Sequence, residues 1–223
     1  MSDTDSFIDE VTEEVRRDRL FALYRRYGWI AVLAIVALVG AVAWSEYRQA
    51  QSMRAAQALG DQLIAAEQPN DPALRADALA AVQPDSPGGQ AVAAFLTADA
   101  QLAAGDVDAA AATLDAVANT VDLPPVYRQM AAFKSLLAQT ETLPLDDRRA
   151  GFEAMTEPGA PLRLLAEEQL ALIDIEAGAP DAAIDRLQAM LQDAEANGEQ
   201  LQRAVQVIIA LGGTPDLAPN NEG

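Results

Sequence analysis

The chain has 223 residues, 34 acidic against 15 basic, a net charge of −19, and neither cysteine nor histidine. That length can bury a real core, but thiolate chemistry, disulfides, cysteine-type zinc sites and histidine general-base catalysis are excluded, which leaves only carboxylates for a metal or acid/base site. A field this acidic repels phosphate backbones, so nucleic acid is disfavoured as a partner.

Only 5% of residues are aromatic and alanine dominates, a composition of strong helix formers that points to an all-α fold. Residues 1–27 form a leader with seven acidic and five basic side chains. Phe7, Ile8, Val11 and Val15 recur on one helical face. Ser6 is placed to cap that helix, with acids in its first turn. Such a cytoplasmic amphipathic helix can dock on a partner or simply set topology, and both readings stay open.

From Gly28 to Trp44 runs GWIAVLAIVALVGAVAW, without a charge. Extended to residues 28–47 it reaches about 20 residues, the length that crosses a hydrocarbon core about 30 Å thick. Tyr24, Tyr27 and Trp29 stand at one end, with Trp44 and Tyr47 at the other, as aromatic belts do at membrane interfaces. Arg16, Arg17, Arg19, Arg25 and Arg26 precede the span. By the positive-inside rule they keep the N-terminus cytoplasmic and send the rest across. Ala41-Val42-Ala43 resembles a cleavage site, so removal of a signal peptide after Ala43 is the competing reading.

The helix is expected to continue past Trp44 as a stalk until PNDP at 69–72. Helices then follow at 73–83, 90–104, 107–119, 125–140, 145–157, 161–177, 180–195 and 199–211, separated by proline and glycine punctuation. Residues 48–211 thus read as a helical repeat domain, and residues 212–223 as a disordered tail. Short links between such elements make antiparallel hairpins.

Aligning Gly105 with Gly178 superimposes two hairpins. Ala98 meets Ala171, Ala110 meets Ala183, Leu114 meets Leu187 and Val117 meets Met190. These are the small–turn–small–large positions of a tetratricopeptide hairpin, with a degenerate hairpin expected between Tyr127 and Met155. The architecture is an all-α, tetratricopeptide-like α-solenoid behind one transmembrane helix.

The leader FIDEVTEEVRRDRLFALYRRYGW, the single span, the stalk and the alanine-rich repeats together resemble the YfgM-like bacterial proteins, most closely at residues 7–47. The resemblance implies a periplasmic repeat domain on the bacterial inner membrane, ancillary to the Sec translocon. It also implies a membrane-anchored periplasmic chaperone of the prolyl-isomerase type as partner.

In stacked hairpins the first helices line a concave face. That face would present Val92, Phe95, Asp99 and Leu102, then Leu165, Glu168, Leu172 and Ile175, suited to an unfolded segment or a basic partner helix. The same apolar residues can equally be inter-helix core. Lys134-Ser135, Asp146-Asp147 and Glu167-Glu168 are sequence neighbours about 100° apart on a helix, so no catalytic dyad is expected. No enzyme, cofactor or metal function is read. The expected function is a membrane-anchored protein-interaction module aiding translocation or periplasmic folding. The alternatives are an accessory subunit of another inner-membrane complex, such as a respiratory or cytochrome-maturation assembly, or a structural spacer or secreted scaffold.

Overall fold

A computed structural model describes residues 3–216, with side chains for Trp29, Ile30 and residues 33–216. Among the described residues there are nine helices and no strand. They are α1 (Asp3–Ala66), α2 (Pro72–Ala80), α3 (Pro87–Ala103), α4 (Val107–Ala118), α5 (Pro125–Ala138), α6 (Leu145–Glu153), α7 (Arg163–Glu176), α8 (Pro180–Leu191) and α9 (Gly198–Ala210).

Proline and a capping side chain start most of these helices. Pro72, Pro87, Pro125 and Pro180 occupy the first position, where a missing N–H costs nothing. Asp71, Ser86, Asp106 and Asn197 accept from the first free backbone N–H groups. Asn197 and Gln200 complete a reciprocal capping box.

Glycine stops three of them alike. Gly105, Gly178 and Gly212 have φ of 81°, 74° and 82°. In each turn the glycine N–H returns to Leu102, Ile175 or Ile209, and the next N–H to Gln101, Asp174 or Ile208. This paired Schellman closure needs a left-handed residue, which glycine supplies without strain. Helix α8 ends at Leu191, short of the expected 195, because Asp193 Oδ1 accepts the Glu195 N–H at 2.9 Å and turns the chain.

The chain divides into two compact units, one up to Ala58 and one from Leu59 onward. Among the described residues the first unit is α1 as far as Ala58. That helix has no break between leader and apolar stretch, and Ser6 lies inside it rather than at its cap. Every described side chain from Leu33 to Tyr47 is exposed. Among the described residues, no helix is long and apolar enough to cross a membrane. Three positions of the expected span, 28, 31 and 32, have side chains outside the described set.

In the second unit contacts run between successive helices from α2 to α9, with a further contact of α3 with α5. Each helix meets its neighbours in the sequence, the signature of a stacked hairpin array. The core is accordingly a chain of small clusters. Leu63 and Ala66 from the end of α1 pack with Leu79 and Ala93. Ala171, Ala183, Leu187 and Ile208 anchor the other end.

Candidate protein-binding surface

The two aligned hairpins share one packing scheme. Ala98, Ala110 and Leu114 form one fully buried cluster, and Ala171, Ala183, Leu187 and Met190 belong to its counterpart. Methyl groups at the crossing let the backbones approach, and a leucine fills the space behind. Ala131 and Ala204, also buried, follow Ala98 and Ala171 at about the 34-residue tetratricopeptide period. The hairpin between is the degenerate one expected. Its close contact is Gly151, where an added Cβ would stand 2.7 Å from Leu136 Cδ1.

Charge is organised across the helices of the C-terminal half. Asp174, buried on α7, accepts from Arg149 of α6 at 2.6 Å and Arg186 of α8 at 3.1 Å. Arg186 also reaches Glu167 at 2.5 Å. Burial works against the Arg186 charge, but the hydrogen bonds it donates to Glu167 and Asp174 overcome it and raise its pKa. Arg163 bridges Asp193 and Glu195, each at 2.7 Å. The Glu195 N–H, and after it Arg163, hold the Asp193 carboxyl below its ordinary range. The neighbouring Glu167 and Glu168 are both committed to arginines, Arg186 and Arg203.

The eight expected groove residues divide by environment. Phe95 and Leu102 pack on the buried clusters of α3 and α4, and Ile175 on that of α7–α9. Leu165 is half-buried. Val92 and Leu172 are open, at 41% and 43% exposure. The two acids are not free. Asp99 pairs with Lys134 of α5 at 2.8 Å, and both oxygens of Glu168 take the Arg203 fork of α9 at 2.6 and 2.8 Å.

The Asp99–Lys134 bridge brings the outer faces of α3 and α5 side by side. It thereby reveals residues that the groove reading missed. Val126, Met130 and Leu137 are exposed on α5, and Lys134 shares their face by its spacing. With Val92 they make an apolar strip interrupted by one ion pair. The spacing 126, 130, 137 was available as a stripe turned away from Ala131, but without knowledge of which helices pair it had no neighbour.

No dyad joins Lys134 and Ser135. The ammonium goes to Asp99, while the buried Ser135 Oγ accepts from Gln139 Nε2 at 3.0 Å. Asp146 and Asp147 stand exposed in the first turn of α6, where they complement the helix dipole. Among the described residues no acidic cluster is arranged to hold a metal ion.

At the expected membrane interface, the Trp44 and Tyr47 rings lie 6.4 Å apart and Arg48 stacks 5.4 Å from the Trp44 ring. Trp29 is exposed. Tyr24, Tyr27 and the five arginines from Arg16 to Arg26 lie outside the described side chains.

Period, small-residue crossings and glycine turns define an αα-hairpin repeat protein. Residues 24–134 match the family model of a tetratricopeptide repeat-like domain, so the chain contains a domain of that kind. The match takes in the uncharged stretch as well as the helices through most of α5. Neither the curated proteins nor the solved structures yield a match. Tetratricopeptide repeat-like domains are in general protein-binding, non-catalytic modules.

Proposed function

We propose that this chain is a membrane-anchored, non-catalytic protein-interaction module of the bacterial inner membrane, with its repeat domain in the periplasm. The observation that carries this reading is a helix with an uncharged, outward-facing apolar run and a repeat domain beginning in its final turns. From Trp29 to Tyr47 the described large apolar side chains are 46–66% exposed. So much uncovered apolar surface calls for a lipid or protein environment. The aromatic pair Trp44–Tyr47 with Arg48 has the chemistry of a head-group layer.

The partners proposed are components of the Sec translocon and a membrane-anchored periplasmic chaperone. This part rests on the resemblance at residues 7–47. The surface offered to them is the open strip of Val92, Val126 and Met130, with Leu172 further along.

The test is capture in mild detergent followed by mass spectrometry. Translocon or chaperone components should be recovered by the native chain and lost with a Met130→Glu/Leu172→Glu double variant of unchanged thermal stability. Recovery of neither component would refute the partner assignment. Equal recovery by the double variant would refute the surface.

A further inference from the structure

After Gly213 the chain does not continue as a helix but runs along α8. Gln188 on α8 and Gln192 at its C-cap stand one helical turn apart, about 6 Å, close to the two-residue repeat of an extended chain. Gln188 Nε2 donates to the Thr214 carbonyl at 2.7 Å, and its Oε1 accepts the Asp216 N–H at 2.9 Å. Gln192 Nε2 donates to the Asp216 carbonyl at 2.8 Å. Three consecutive polar groups on one edge of the segment are therefore taken by two primary amides. All three belong to the backbone.

The middle residue explains why the segment suits this role. Pro215 contributes neither donor nor acceptor to the glutamines, so its missing N–H costs nothing there. Its ring fixes φ, and it pushes Thr214 into an extended conformation before any contact is made. Thr214 and Asp216 side chains are exposed, consistent with recognition of main chain rather than side chain.

We propose that Gln188 and Gln192 form a rail for an extended polypeptide backbone with proline at its centre, and that Thr214–Asp216 is its resident occupant. The C-terminal segment then competes with an incoming Xaa-Pro-Xaa segment of another polypeptide. Reading backbone makes the site tolerant of sequence, as a module meeting varied unfolded segments requires. A tethered occupant restrains weak ligands through its high local concentration. This site lies on α8, apart from the α3–α5 strip, and stands or falls independently of the partners proposed above.

The full chain allows the test. Asp216→Pro deletes the N–H that Gln188 accepts, whereas Asp216→Ala changes only the side chain. The probe is the ten-residue peptide TPDLAPNNEG, titrated onto each chain by NMR. Asp216→Pro should bind it about tenfold more tightly than the native chain. Asp216→Ala should behave like the native chain and keep its residue-216 amide slow to exchange. Adding Gln188→Leu and Gln192→Leu to Asp216→Pro should abolish binding, and a peptide N-methylated at its third residue should not bind. Equal binding by the native and Asp216→Pro chains, binding that survives loss of both glutamines, or loss of amide protection in Asp216→Ala would overturn the proposal.

Discussion

Asp174 sits 4% exposed on α7, and two arginines from flanking helices converge on it. Replacing this buried carboxylate by an amide leaves Arg149 without its anionic partner and Arg186 with Glu167 alone. Asp174→Asn should lower the unfolding free energy by about 3 kcal/mol. The same change at the exposed Asp99 should cost within about 1 kcal/mol. Denaturant titration of the two variants checks the contrast, and equal effects would refute the bridging role.

Asp193 gives a pH-dependent counterpart. Its folded-state pKa is lowered, so its contribution is present above the unfolded aspartate value of about 4 and disappears as pH falls through the folded value. Native chain and Asp193→Ala should therefore differ at neutral pH by within about 1 kcal/mol, since the site is partly solvated. They should converge in acid. A gap that widens as pH falls from neutral through 4, as followed by thermal melts, would contradict this sign.

These ionic contacts were the least legible part of the sequence. Arg186 and Glu167 are 19 positions apart and Arg149 and Asp174 are 25, separations that no periodicity marks. Asp99 and Glu168 lie on the first helices of their hairpins, the one exposed and the other largely covered. What could not be read was that Lys134 and Arg203, one helix further along, already neutralise them.

Helix ends, by contrast, were written locally. The expected starts at residues 125, 145 and 180 coincide with α5, α6 and α8, because proline dictates the first turn. The shared fate of Gly105 and Gly178 followed from aligning them, and Gly212 adds a third case of the same closure. At Gly178 the left-handed backbone forbids a cheap side chain. Gly178→Ala should destabilise by about 1–2 kcal/mol. Gly60, inside α1 with nothing within 4 Å of an added Cβ, should gain up to about 1 kcal/mol as alanine. Calorimetry on the pair settles it, and a stabilising Gly178→Ala would refute the turn assignment.

The element missed was the tail. Thr214–Asp216 has a disordered composition, yet Gln188 on α8 and Gln192 at its C-cap hold it, because the bonds are to backbone that every sequence carries. Residues 217–223 lie outside the described residues.

For the repeat domain, the architecture was recoverable because the α3–α4 and α7–α8 hairpins carry the same small–small–large code and each helix packs on its neighbours in the sequence. Ala98, Ala110 and Leu114 needed no distant partner to be read. The middle hairpin was harder, since Gly151 stands near Leu136 where the other hairpins pair two alanines. The open apolar strip on α3 and α5 escaped because it exists only once those helices are set side by side.

The account turns on what covers the uncharged stretch of α1, and hence on where the repeat domain resides. The direct measurement is protease accessibility of a C-terminal epitope in intact spheroplasts, beside alkaline-carbonate extraction of the same membranes. An anchored periplasmic domain predicts an epitope degraded from outside, and an N-terminally intact chain that stays in the carbonate-resistant pellet. An epitope protected until the membrane is broken, or a chain released by carbonate and lacking residues before Trp44, would contradict the account.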